Sequence, residues 1–268
     1  MAYFQKTKTG IHYSRSGKAN QAVVFVHGFL EDLRMWDDFI HRVQGYSVIK
    51  IDLPGFGQSE AKSKISITGY ADAVKKVLDT ERIDKVILVG HSMGGYTAMA
   101  FAKKYPELLK GLCLFHSQPY PDSKENRTKR LKSAKFVETH GGQAYTKATV
   151  PNLFSQDYRK KYKKIVNDVI HLGKGNSDEG IIAAIHAMRN RKDTSGVLAQ
   201  IGCPVQFIIG TEDEAIPAEL SLKQTTLPAI ADVQIMQGVG HMGHLEARRK
   251  TIKLVRSFIA FVSSSSLD

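Results

Sequence analysis

A series of short apolar runs constrains this chain more than any other feature. Ala22–Val26, Tyr46–Ile51, Lys85–Val89, Gly111–Phe115 and Val205–Ile209 are strand-length and apolar almost throughout. Continuous rather than alternating hydrophobicity marks strands covered on both faces. The stretches between them read as helices. Arg34–Val43 suits a short helix ended by Gly45, and Ile67–Leu78 sets Ile67, Tyr70, Ala71, Val74, Val77 and Leu78 at helical spacing. A further helix runs from Met93 to about Lys104 and stops before Pro106. Such alternation requires a parallel sheet with helices on both faces. Tyr3–Thr9 and Ile11–Arg15 lead into it as a hairpin around Gly10.

The alternation breaks at Gln118. Up to Ala199 only helix-like, Lys-rich stretches occur, at Asn126–Glu138, Gln156–Ile170 and Glu179–Arg189. Strand and helix then resume with Val205–Ile209, Ala218–Gln224, Val233–Met236 and a last helix from about Leu245 to Phe261. The expected organisation is therefore one α/β domain in two pieces, residues 1–117 and 200–268, with residues 118–199 as a helical insertion. Insertions of that length between core elements usually serve as lids or binding elements.

The net charge of +12 is regional, because residues 118–199 hold 16 Lys and Arg against 8 Asp and Glu. Lys160, Lys161, Lys163 and Lys164, beside Tyr158 and Tyr162, read as the solvated face of a helix rather than a nucleic-acid patch. Its apolar side would be Tyr158, Tyr162, Ile165, Val169 and Leu172. A basic lid would also steer anionic substrates, an effect that salt suppresses. No apolar run nears the ~18–20 residues of a membrane helix, and the first residues show no secretory pattern. Cys113, inside an apolar run, and Cys203, before Pro204, read as small buried hydrophobes of a reducing, cytoplasmic compartment. Ser263–Ser266 reads as a frayed end.

The chemistry concentrates at Gly90-His-Ser-Met-Gly94, a G-x-S-x-G run with an apolar strand entering and a helix leaving. So sharp a reversal strains the central residue and leaves no space for side chains at Gly90 and Gly94. Ser92 Oγ is then exposed at the carboxyl edge of the sheet, at a helix N-terminus that favours negative charge. A serine hydroxyl needs a base, and the base needs an orienting acid. Asp213 follows one later strand, flanked by Glu212 and Glu214. His241 follows the next, with His244 three residues on. His244 reads as the start of the last helix. Gly238-Val-Gly-His-Met-Gly243 matches a dinucleotide fingerprint, but no further parallel strand follows it. No H-E-x-x-H run or Cys cluster accompanies the histidines, so no metal is expected. His140-Gly141-Gly142 reads as a helix C-terminus.

On these residues the chain resembles the α/β-hydrolase superfamily. The matching features are His27-Gly28-Phe29 after a strand, Asp52-Leu-Pro-Gly-Phe-Gly-Gln-Ser59, Gly90-His-Ser-Met-Gly-Gly95, Asp213 four residues before Pro217, and Gly240-His241 followed by Glu246. They span nearly the whole chain outside residues 118–199, which sit where that superfamily places its cap. The resemblance implies an α/β-hydrolase fold: a mostly parallel central sheet, helices on both faces and an inserted helical cap. It also implies Ser92 as nucleophile, His241 as general base and then acid, and Asp213 as orienting acid. The backbone N–H groups of Phe29 and Met93 would form the oxyanion hole. Substrate contacts are expected from His27, Gly28, His91, Trp36, Tyr120 and Phe154. The expected activity is hydrolysis of a carboxylic ester or related small acyl compound without cofactor, by a monomer or homodimer. Serine at this position argues against the carboxylate-nucleophile dehalogenases and epoxide hydrolases. Carbon–carbon hydrolases, lyase-like enzymes, haloperoxidases and small-molecule receptors share the scaffold, and fold alone does not choose among them.

Overall fold

The computed structural model describes residues 3–42 and 46–264. Strands β1 (Tyr3–Lys6) and β2 (His12–Ser16) form the expected hairpin, with Gly10 at φ 76° in its turn. β2 pairs antiparallel with β4 (Ser47–Ile51), and every later pairing is parallel. With β3 (Gln21–Val26), β5 (Lys85–His91), β6 (Leu109–Phe115), β7 (Val205–Gly210) and β8 (Ala231–Met236), the sheet order is β1-β2-β4-β3-β5-β6-β7-β8.

The continuous apolar runs are explained by two-sided packing. Along β3, Ala22, Val24 and Val26 face a core built with α1 (Ile67–Glu81) and α2 (Met93–Lys104). Val23 and Phe25, on the alternate positions, face a second core with Trp36 and Phe258. Period-2 geometry thus divides a run with no polar side into two buried faces. The expected helix at Arg34–Val43 is a 3-10 helix, Leu33–Arg42; its expected end at Gly45 lies outside the described residues, as do Ser265 and Ser266.

Between β6 and β7 the chain is helical: α3 (Lys124–His140), α4 (Gly142–Thr149), a 3-10 turn (Val150–Leu153), α5 (Gln156–Lys161), α6 (Lys163–Gly173), α7 (Asp178–Arg189) and α8 (Ser195–Gln200). Ser123 and Ser177 cap α3 and α7 by accepting the N–H groups of Asn126 and Gly180. Gly141 ends α3 at φ 81°, as its sequence implies, and α4 starts at once. The single helix expected over Gln156–Ile170 is two, broken at Tyr162. The break lets each half find a different partner. Tyr158 of α5 donates its hydroxyl to Leu245 O at 3.3 Å, whereas α6 ends where a Cβ on Gly173 would lie 3.0 Å from Leu30 O. The apolar side of this region is accordingly rotated from expectation: Val166 is buried, while Tyr162 and Leu172 remain exposed.

One small cluster joins these helices to the loops above the sheet. Ala134, Val137, Val150, Phe154, Val166, Ile181 and Ile185 pack with Leu30 and Met242, which belong to the β3 and β8 exit loops. Backbone contact is equally close: a Cβ on Gly55 would stand 2.6 Å from Gly180 Cα. After β7 come α9 (Ala218–Lys223), then β8, the short α10 (Gly243–Glu246) and α11 (Arg248–Ser264).

Candidate active site

Ser92 occupies the reversal between β5 and α2 with φ 51° and ψ −114°, a conformation costly for any residue with a Cβ. The flanking glycines make it possible. A Cβ on Gly90 would lie 2.4 Å from Gly94 O, and one on Gly94 would lie 2.3 Å from Val26 O. Ser92 gives its N–H to Phe115 O at 3.0 Å, and its own carbonyl accepts the Ser117 hydroxyl at 2.8 Å. Its side chain is held at a partly exposed position among buried neighbours.

Asp213 lies just beyond β7 and is buried, whereas Glu212 and Glu214 point to solvent. Oδ1 accepts the N–H groups of Ala215 (3.0 Å) and Ile216 (2.8 Å), which fixes the carboxylate plane. Oδ2 meets His241 Nδ1 at 2.7 Å. An ionised carboxylate can only accept, so His241 Nδ1 is the donor of this contact and Nε2 is turned away from Asp213. Burial works against charge on Asp213, but His241 and His116 outweigh it and hold the carboxyl well below the usual range. Glu246 fastens the His241 loop: Oε2 accepts from Gly240 N and Ser155 N, each at 3.1 Å, and Oε1 from Met242 N at 3.3 Å.

Sequence reasoning missed two buried members of this region. His116, at φ 47° directly after β6, brings Nδ1 to 3.1 Å from the same Asp213 oxygen. Burial pushes it down to about 4, so it is neutral near pH 7. Glu31, three residues beyond Gly28, accepts Gly28 N–H at 2.8 Å and faces His91 Nδ1 at 2.7 Å. The far nitrogen of His91, Nε2, meets His241 O at 2.9 Å. The residue preceding Ser92 therefore grips the backbone of His241, which brings the elbow and the His241–Asp213 pair together. A polar residue within the Phe29–Leu33 stretch, and a histidine at a strand's carboxyl end, were the available signals.

The structure corrects several expected substrate contacts. Trp36 is fully buried, its ring packed on Phe25 (5.1 Å), Phe39 (5.1 Å) and Phe115 (5.7 Å) in the core around α11. His27 is also fully buried. It bridges Gly28 O at 2.7 Å and Leu53 N–H at 2.9 Å, and so shapes the loop. His91 is spent on Glu31 and His241, and Gly28 provides clearance, since a Cβ there would lie 2.5 Å from Glu31 Oε2. Phe29 is half-buried, with its ring near Phe56 and Tyr145, and Met93 is buried at the first residue of α2. Phe154 is buried, stacked on Tyr158 beside the His241 loop, and Tyr120 is half-buried with its carbonyl accepting from Arg191.

Among the described residues, two clusters bring potential metal donors within 4.8 Å of one another, Glu31–His91–His244 and His116–Asp213–His241. Both are largely spent on internal hydrogen bonds: both nitrogens of His91 face acceptors, and Asp213 Oδ2 serves two imidazoles. A metal at either cluster would have to displace the His91 and Asp213 bonds, although Glu31 Oε1 and His116 Nε2 carry none.

Comparison with known proteins agrees with this fold. A thermophilic esterase from Thermogutta terrifontis superposes with a TM-score of 0.88 at 25% identity, covering 98% of this chain and 99% of that one. A 2-hydroxy-6-oxononadienedioate/2-hydroxy-6-oxononatrienedioate hydrolase from Burkholderia vietnamiensis is 27% identical over 94% of this chain and 92% of its own length. A putative 2-succinyl-6-hydroxy-2,4-cyclohexadiene-1-carboxylate synthase from Bacillus subtilis is 27% identical over 94% and 96%. The family model described as alpha/beta hydrolase fold matches residues 21–248. With an eight-stranded sheet of that order and a strained serine at the end of β5, this chain belongs to the alpha/beta hydrolase fold family and is a hydrolase.

Proposed function

We propose that the protein is a serine hydrolase of carboxylic esters or related small acyl compounds. Ser92 Oγ attacks the carbonyl carbon while His241 Nε2 takes its proton, and Asp213 stabilises the imidazolium through Nδ1–H. The oxyanion rests on the Phe29 and Met93 N–H groups, where one such donor is worth about 3 kcal/mol. His241 next protonates the departing alkoxide, then activates the water that cleaves the acyl-Ser92 ester. The helices of residues 118–199 act as a cap over this mouth.

The observation that carries the reading is the pairing of His241 Nδ1 with buried Asp213 at 2.7 Å, on a loop bound to the residue beside strained Ser92. The cap reading is supported by Leu30 and Met242, neighbours of Phe29 and His241, which lie in the hydrophobic cluster of the helical insertion. A fluorophosphonate probe should label Ser92, and Ser92→Ala should lower p-nitrophenyl ester turnover by about 10³-fold or more with the fold intact. Unlabelled protein, or a variant as active as the parent, sinks the proposal.

The named relatives favour a second reading, carbon–carbon bond hydrolysis with the same residues. Faster cleavage of 2-hydroxy-6-oxononadienedioate than of any ester in a graded acyl series would select it.

A further inference from the structure

The hydrolase reading uses Ser92, His241 and Asp213 but leaves a second buried acid–imidazole pair unexplained. Glu31 and His91 are almost fully buried, and desolvating an ion pair is costly unless its hydrogen bonds are well made. Here they are well made, and each ends on a different part of the site. Glu31 Oε2 takes Gly28 N–H at 2.8 Å, one residue before the Phe29 amide. The same oxygen meets His91 Nδ1 at 2.7 Å. His91 Nε2 reaches His241 O at 2.9 Å, and His91 is bonded directly to Ser92. The chain segments joined in this way are far apart in sequence, leaving β3, β5 and β8.

We propose that the Glu31–His91 ion pair is a positioning device that sets the Phe29 amide, Ser92 and His241 in register for the transition state. It rests on the hydrolase reading above and adds to it a reason for this acid and this imidazole. His91 has an acceptor at each nitrogen, a carboxylate at Nδ1 and a carbonyl at Nε2. Both contacts are satisfied at once when both nitrogens carry protons. An imidazolium paired with a carboxylate gives charge-assisted bonds, shorter and stronger than neutral ones. The directions of titration agree. Burial lowers His91, but Glu31 and the His241 carbonyl outweigh it and raise it above the ordinary value. Burial raises Glu31, but His91 outweighs it and brings the carboxyl down to about 2.

The surroundings leave little slack. A Cβ on Gly28 would stand 2.5 Å from Glu31 Oε2 and 2.6 Å from His91 Nδ1, so the backbone is pressed against the pair. The His91 ring centroid is 5.0 Å from that of His241 and 5.3 Å from that of His244. His244 presents Nε2 to Glu31 Oε1 at 3.7 Å, too far for a hydrogen bond. Glu31 Oε1 is left without a partner, so the carboxylate's two bonds both fall on Oε2. Those bonds lead to the oxyanion loop and, through His91, to the base.

The test is Glu31→Gln, which preserves shape and removes the charge, with His91→Gln as a second variant. Both are assayed on a p-nitrophenyl ester, with thermal melts and Ser92→Ala as control. A positioning role predicts a fall in kcat of ten-fold or more with KM within about two-fold, because misplacement costs the transition state more than the bound substrate. The double variant should be no slower than the slower single, since the two groups act as a unit. Folded variants with kcat within two-fold of the parent overturn the proposal and leave the hydrolase reading standing. Absence of Ser92-dependent turnover in the parent overturns both. Should neither variant fold, nitrogen NMR of the intact protein followed across pH decides: a His91 ring that stays doubly protonated above the ordinary histidine value supports the pair, and a ring already neutral at or below that value overturns it.

Discussion

Two buried clusters flank the Ser92 elbow, and each contains one carboxylate and two imidazoles. In the first, Asp213 faces His241 and His116; in the second, Glu31 faces His91, with His244 behind. In both, the outer histidine is driven down by burial, His116 to about 4 and His244 to about 3, and is neutral near pH 7. The clusters differ at the far nitrogen of the inner histidine. His91 spends Nε2 on a backbone carbonyl, whereas the Asp213 contact uses only Nδ1 of His241. A ring with acceptors at both ends holds its second proton more tightly than a free imidazole, and a ring with one end open can take a proton and return it. On the proposed reading, the same residue types thus yield a brace on one side and a base on the other.

The sharpest way to break this contrast is to neutralise both carboxylates by isosteric change. Asp213→Asn removes the group that fixes the His241 tautomer, a change that in serine hydrolases costs about 10⁴-fold in kcat. Glu31→Gln should cost far less, because the proposed base and nucleophile, His241 and Ser92, keep their own partners. Steady-state kcat for the two variants on one ester tests the ranking. Equal losses would mean that both carboxylates act on the proton transfer, and the contrast would fail.

The outer histidines give a second test, read in stability. His116 and His244 are neutral in the folded protein below the pH at which they are protonated when unfolded. Between about pH 6 and pH 4 the unfolded chain therefore binds protons that the native state does not, and stability falls as pH falls. Each group contributes about 1.4 kcal/mol per pH unit in that window. His91 works in the opposite sense: its raised value stabilises fully below the unfolded pKa, and that contribution is lost as pH rises through the folded one. Urea unfolding at stepped pH should show the acid slope, and His244→Phe should about halve it. A profile flat from pH 6 to pH 4.5 would contradict the assignment of both rings as neutral.

How much of this was readable beforehand follows from which distances sequence encodes. Ser92 was legible because Gly90 and Gly94 report a steric demand within five consecutive residues. The strands were legible because two-faced burial leaves continuous apolar runs. Asp213 was separable from Glu212 and Glu214 only by resemblance, since the choice depends on which carboxyl turns inward. Glu31 and His116 left only faint marks, a polar residue in an apolar loop and a histidine at a strand's end, neither of which says what it touches. Their roles require knowing that β3 and β6 both border β5, a sheet order that periodicity does not state. Trp36 was misplaced for the same reason: near the His27-Gly28 motif in sequence, it lies beneath the sheet with Phe25 and Phe115. The break at Tyr162 was hidden because neither glycine nor proline marks it, and the separate partners of α5 and α6 set it.

The smallest expected effect lies at the surface, where the buried clusters have no counterpart. Lys160, Lys161, Lys163 and Lys164 are all exposed, on helices whose neighbours reach the His241 loop. Charges in water interact weakly beyond a Debye length of about 8–10 Å, so they shift encounter rather than chemistry. Changing all four to Gln should lower kcat/KM for a carboxylate-bearing ester by about two- to three-fold at low ionic strength. The loss should vanish in about 0.5 M salt, where screening is nearly complete. It should leave kcat unchanged and spare a neutral ester of the same acyl length. A loss that survived salt, or that struck both esters equally, would place these lysines in packing or catalysis and remove the distinction between buried charges that hold geometry and exposed charges that only attract.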